Sequence, residues 1–139
     1  MIAITSKSRY AVQALAELGR LGALPGGRPV PIAELARRRA IPLQFLEQLF
    51  ASLRRAGMLQ SQRGVKGGYT FVKDPSQLSV LEVVELLDGE VGGELSGDQA
   101  AQEVWTNAVA ALREVLAATT IAQIMEQEAE AAGTSMYHI

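Results

Sequence analysis

Eight residues, Gln62-Arg63-Gly64-Val65-Lys66-Gly67-Gly68-Tyr69, hold three glycines, two cations and an aromatic. Glycine this close to cation brings backbone near an anion, and only a few folds do that. A phosphate-cradling P-loop requires G-x-x-x-x-G-K-[ST], with the Lys and hydroxyl opening a helix. Here Lys66 precedes the glycine pair, and Tyr69-Thr70-Phe71-Val72 follows with strand-favouring aromatic and β-branched residues. Upstream, Met58-Leu59-Gln60-Ser61-Gln62 is a second short extended run. Two strands around a Gly-rich turn make a hairpin, and the glycines supply the positive φ angles of its turn. Arg63 and Lys66 then sit at the tip of a protruding ribbon. Taken alone, this is equally well an ordinary hairpin with solvated charges; the residues before it decide.

Those residues read as three helices. Thr5-Ser6 offers an N-cap, and Tyr10, Ala14, Leu15 and Leu18 recur at helical spacing, which predicts a helix over about 6–21. The loop Leu24-Pro25-Gly26-Gly27-Arg28-Pro29 leads to a short helix with Pro31 in its first turn, ending in Arg37-Arg38-Arg39. Pro42 opens a third helix that runs to about Arg55 and stops at Gly57. On its wheel Leu43, Leu46, Leu49, Phe50 and Leu53 share one side, while Gln44, Gln48, Ala51 and Arg55 lie opposite, with Glu47 and Arg54 adjoining. A short helix, a tight turn and a second helix make a helix-turn-helix, and the basic hairpin after it is a wing.

Charge supports a polyanion as the ligand. Residues 1–73 hold 12 Lys and Arg against 3 Asp and Glu, a balance of +9; residues 74–139 hold Arg113 alone against 12 acids, −11, which together give the chain's −2. Such asymmetry between halves points to nucleic acid on the N-terminal side. The chain has no cysteine, and its one histidine is His138, so disulfides, reactive thiols and Cys/His metal sites are excluded. With no Cys or His placed as a nucleophile or base, an enzyme is disfavoured. No apolar run is long enough to span a bilayer, and MIAITSKSRYAV shows no export signal, so the cytoplasm is the expected location.

After Asp74-Pro75-Ser76, Ser79 caps a predicted helix over Val80 to Leu87, stopped by Asp88-Gly89. A loop-like stretch, 89–98, precedes a long helix from about Ala100 to Ala117. Its apolar residues, among them Val104, Trp105, Ala108, Leu112 and Val115, fill an arc of roughly 160°, wider than one core needs. The surplus face predicts a homodimer. Thr119-Thr120 restarts a last helix over about 120–131, and a tail from Gly133 to Ile139 follows. The expected fold is therefore mainly α with a small β-hairpin wing. Residues 1–75 form the winged helix-turn-helix, and 76–139 a helical dimerisation and regulatory region.

Thr5-Ser6-Lys7-x-Arg9-Tyr10-Ala11-Val12, Phe45-Leu46-Glu47-Gln48-Leu49-Phe50-x-x-Leu53-Arg54-x-x-Gly57 and Arg63-Gly64-x-x-Gly67-Gly68-Tyr69, in this order, resemble the Rrf family of bacterial repressors. Cluster-binding members of that family carry three cysteines between the fourth helix and the long helix, and a histidine that aligns near Gln102. This chain has no cysteine there, and a [2Fe–2S] cluster needs thiolate or imidazole ligands, so no cofactor is expected. Within the family the likeness is to cysteine-free repressors of cysteine metabolism.

The resemblance implies double-stranded DNA as partner, with the third helix in the major groove. Gln44, Glu47, Gln48 and Arg55 are of types that read base edges there, Gln on adenine and Glu on cytosine. On the wing, Arg63 is suited to a narrow minor groove, and Lys66 is a further DNA-binding cation. Lys7, Arg9, Tyr10 and the free amides that open the first helix suit phosphate contacts, and Arg37, Arg38 and Arg39 electrostatic steering. The resemblance further implies cysteine synthase as a partner, with Tyr137 and the carboxylate of Ile139 entering its substrate pocket. Two other classes stay open on the sequence: an interaction adaptor that keeps the fold, and a regulator with a small-molecule pocket between wing domain and long helix.

Overall fold

A computed structural model describes residues 4–93 and 102–137, with backbone alone for 134–137. Six helices and one hairpin follow in the order α1 (Ser6–Arg20), α2 (Ile32–Arg39), α3 (Leu43–Arg55), β1 (Leu59–Gln62), β2 (Gly68–Phe71), α4 (Val80–Asp88), α5 (Gln102–Ala118) and α6 (Ile121–Tyr137), with one 3-10 turn at Pro75–Gln77. The mainly α winged helix-turn-helix expected from the sequence is the fold observed.

Helix α1 is the centre of the core. Ala11, Ala14, Leu15 and Leu18 are wholly buried, and the small alanines let α2, α3, α4 and α6 all pack on it. From α3 come Leu46, Leu49, Phe50 and Leu53, from α2 Leu35, and from the strands Leu59 and Phe71. Each such side chain contributes about 1.5–3 kcal/mol by leaving water. Leu43 departs from the expected face: it is 40% exposed, because α3 starts beyond the edge of the core and Leu46 is its first buried residue.

The turn between α2 and α3 places Ala40 in the left-handed region, at φ 53° and ψ 45°, with Ile41 buried beneath it. The C-terminal helices are tied back at their starts. Ser79 and Glu82 form a reciprocal cap on α4, and Thr120 with Gln123 does the same for α6. Between them, the Val80 amide donates to the Thr119 carbonyl (2.8 Å) and the Ile121 amide to that of Leu78 (2.9 Å). Helix α6 does not end near 131. It continues through Gly133 to Tyr137, so Ser135, Met136 and Tyr137, read from the sequence as tail, are helical.

The end of α4 is fastened to the start of α1. The Asp88 carboxylate accepts from the Thr5 amide (3.0 Å), the Thr5 hydroxyl (2.5 Å) and the Ser8 hydroxyl (2.6 Å). Burial pushes its pKa up, but the hydrogen bonds from Ser8 and Thr5 and the charge of Lys7 outweigh it, and the carboxyl is held below its usual value. A carboxylate at the end of its own helix is poorly placed for the dipole; at the start of α1 it is well placed. A depressed folded pKa stabilises above the unfolded value, near pH 4, and the gain is lost as pH falls through the folded value. Asp88→Asn is expected to cost about 1–2 kcal/mol at pH 7. In chemical denaturation from pH 7 to 3, its deficit against the parent chain should shrink at the acid end.

Candidate nucleic-acid interface

Helix α3 presents Gln44, Glu47, Gln48 and Arg55 to solvent, all exposed, as its wheel predicted. Among the described residues Glu47 has no ion-pair partner, so its carboxylate is free to accept. Arg55 donates to the Ser52 hydroxyl at 3.2 Å and has no carboxylate partner among the described residues. Leu43 and Pro42 are also exposed at the leading end of this helix, which makes that end partly apolar.

The wing stands beside it on a defined register: Leu59 opposite Phe71, Gln60 opposite Thr70, Ser61 opposite Tyr69 and Gln62 opposite Gly68. Burial falls away along it, from Leu59 and Phe71 in the core to Arg63, Val65 and Lys66 in solvent. Val30 adds a rung on the other side of β2 by exchanging amide bonds with Tyr69 (3.1 and 2.9 Å). This rung explains Gly68, whose φ is +152°: a Cβ there would strike the carbonyl of Val30 and lie 2.6 Å from the Pro31 nitrogen. Tyr69 also meets Phe50 edge-to-face, with ring centroids 5.1 Å apart, so the wing is locked to α3.

Ion pairing sorts the cations. Arg37 and Arg38 hold Glu34 at 2.9 and 2.8 Å, and these hydrogen bonds, that of Arg38 first, keep its carboxyl below the usual value. Arg39 binds Glu17 at 2.8 Å and meets Glu128 at 2.7 Å. All three arginines of the triplet expected to steer DNA thus meet carboxylates: Arg37 and Arg38 meet Glu34 within α2, while Arg39, and more distantly Arg38, tie α2 to α1 and α6. Arg20 and Arg113 are paired as well. Among the described residues the cations without a carboxylate partner are Lys7 and Arg9 on α1, Arg54 and Arg55 at the end of α3, Arg63 and Lys66 on the wing, and Arg28 and Lys73 flanking it.

Two further expectations change. The start of α1 is not an open anion site, since Asp88 already accepts from Thr5 and Ser8 there. Lys7 and Arg9 remain exposed, whereas Tyr10 is half-buried, edge-to-face with Phe45 at 5.7 Å. Arg28 was missed. Its signal was available, because Gly26-Gly27-Arg28 repeats the glycine–cation adjacency of the wing.

Helix α5 buries no residue completely and packs against α4. Val104 is 60% exposed, Trp105 42% and Val115 63%, and Ala108 is exposed between them; Leu112 is half-buried toward its own chain. Ile139 and the Tyr137 side chain lie outside the described residues.

A helix-turn-helix with a free polar outer face, followed by a basic hairpin fixed to it, defines a winged helix-turn-helix protein. The family model Rrf2, described as an iron-dependent transcriptional regulator, matches residues 4–127, and the chain belongs to that family. Curated relatives include the HTH-type transcriptional regulator IscR of Escherichia coli O1:K1 / APEC and that of Cronobacter sakazakii, each 44% identical over 88 residues. The match takes in 63% of this chain and 52% of each relative, so the chain spans about half the length of the curated relatives it matches. Among solved structures, CymR, the global cysteine regulator of B. subtilis, has a TM-score of 0.80 at 28% identity, covering 91% of this chain and 98% of that one. T. potens IscR gives 0.77 at 32%, covering 93% and 90%, and the oxidized form of Staphylococcus aureus CymR 0.74 at 30%, covering 89% and 96%. The residues do not fit an iron centre of the thiolate or imidazole kind: the chain has no cysteine, and among the described residues no three of His, Cys, Asp or Glu converge.

Proposed function

We propose that this chain is a DNA-binding transcriptional repressor that acts as a homodimer on a pseudo-palindromic duplex. The observation that carries the reading is the solvent-facing outer side of α3, with Gln44, Glu47 and Gln48 exposed, flanked by cations of α1 and the wing that have no carboxylate partner among the described residues. Gln44 and Gln48 read adenine edges and Glu47 a cytosine amine in the major groove. Arg55, Lys7, Arg9 and the rim of Tyr10 hold phosphates, while Arg63 and Lys66 carry the wing into the minor groove. In this reading residues 1–75 bind DNA and 76–139 dimerise and regulate. A duplex selected from a random library should bind far tighter than random DNA, with affinity falling steeply as salt rises. Gln44→Ala should relax preference at particular base pairs by about 1–3 kcal/mol, while Arg63→Ala weakens binding with the consensus kept. Equal affinity for selected and random duplexes would refute sequence-specific binding.

The homodimer is supported by the apolar stripe of Val104, Trp105, Ala108 and Val115, with Leu112 at its edge. Ala108→Glu places a charge in the middle of that stripe. Sedimentation should show a dimer for the parent chain and monomer for the variant, with operator affinity lost in parallel.

Likeness to the global cysteine regulator CymR supports cysteine regulation as the process, and the family resemblance of the sequence adds cysteine synthase as a partner contacted through Tyr137 and Ile139. Purified cysteine synthase should bind the parent chain and bind a variant lacking Ile139 at least tenfold more weakly. Equal binding, or none by either, removes the partner from the reading.

A further inference from the structure

We propose that Arg28, on the loop between α1 and α2, is a third cation of the wing and holds a phosphate of the DNA backbone beside the segment the wing enters. The inference rests on the DNA-binding reading above and adds a contact to it.

Arg28, Arg63 and Lys66 border one open cavity of about 680 Å³ between the 26–31 loop and the wing turn. Its eleven lining residues include these three cations and no carboxylate. The acids nearest Arg28 in sequence are already engaged: Glu17 by Arg20, Arg38 and Arg39, and Glu34 by Arg37 and Arg38. The positive field in the cavity is therefore uncompensated by the described residues, and an anion that enters it gains from all three cations. The amides of Arg28, Val65 and Lys66 make no hydrogen bond to the described protein. They are further donors on the same rim.

The loop that carries Arg28 is held in place. The Gly27 amide donates to the Leu24 carbonyl at 2.7 Å, the Phe71 amide to the Ala23 carbonyl at 2.9 Å, and Val30 is paired with Tyr69. A Cβ on Gly27 would strike the carbonyl of Gly22 and lie 2.9 Å from that of Leu24, so this tight turn excludes larger residues. Arg28 thus projects from backbone fixed on both sides, and little loop entropy is lost when it binds. Its planar fork matches two phosphate oxygens. Lying off the base-reading helix, it sets register without reading sequence.

The test uses full-length protein and a duplex that it selects from a random library. Arg28→Gln should bind selected and random duplexes more weakly by the same factor, roughly three- to tenfold, and lower the slope of log affinity against log salt by about one per bound protomer. Its consensus and melting temperature should match the parent's, and Arg28→Lys should restore the salt slope but only part of the affinity, since an ammonium lacks the two-point fit of the guanidinium. An unchanged salt slope in a folded Arg28→Gln overturns the proposal, as does a loss confined to particular base pairs. If inorganic phosphate at constant ionic strength stabilises the parent but not Arg28→Gln, and the salt slope is the same for both, the cavity holds a free anion and the DNA contact is overturned. A parent chain whose duplex binding depends on neither salt nor sequence would instead sink the DNA-binding reading itself.

Discussion

One carboxylate organises the helices. Glu17 is only 5% exposed, within the helix on which the others pack. A buried charge without a partner costs several kcal/mol, so its position dictates where cations must come. Arg39 supplies the shortest bond, at 2.8 Å, with Arg20 and Arg38 at 3.4 and 3.8 Å. Arg38 and Arg39 lie in the last turn of α2, where cations also suit the helix dipole. Arg39 reaches on to Glu128 of α6 at 2.7 Å, although its Nη2 makes no hydrogen bond there; that arm is charge attraction, less directional than the arm to Glu17. The end of α2 is thereby fixed against α1 and α6, and α3 starts only a short turn later. The direction in which Gln44 and Gln48 point is inherited from Glu17.

The wing depends on a second constraint, close approach of backbone. The rung between Val30 and Tyr69 joins the loop before α2 to the hairpin after α3, so the elements flanking the helix-turn-helix close on each other. It exists because Gly68 carries no Cβ. The contact of Tyr69 with Phe50 then fastens the hairpin to the back of α3. Wing and α3 are therefore joined into one surface, and whatever either of them binds also fixes the position of the other.

The C-terminal half follows different physics. Helix α4 is capped at its start and bound through Asp88 at its end, and α6 is anchored by the buried Ile121 and by the bridge between Ser79 and Thr120. Between them α5 packs mainly on α4, with Val109 against Gly92, and leaves Val104 and Val115 mostly and Trp105 partly in water. A chain of 139 residues has too little core to cover so wide an apolar arc. The same stripe that adds little to the protomer is therefore what a second copy has most to gain from covering.

Local chemistry was legible in the sequence. Period 3.6 placed Leu46, Leu49, Phe50 and Leu53 inside and Gln44, Glu47 and Gln48 outside, Thr5 and Ser79 marked helix starts, and the glycines of 64–68 marked the turn of the wing, because each of these signals acts within a few residues. Leu43 was misread because a wheel gives an angle and not the place where the core ends, and α6 ran past Gly133 because a single glycine is only a weak helix breaker. What only tertiary structure decided was the partner of each charge. Arg37, Arg38, Arg39 and Arg28 are alike as letters in a basic half. Pairing over 22 residues from Arg39 to Glu17, and farther to Glu128, makes Arg39 internal glue, while Arg37 pairs only within α2 and Arg28 has no carboxylate partner among the described residues. Attraction between charges depends on distance in space, and distance along the chain does not report it.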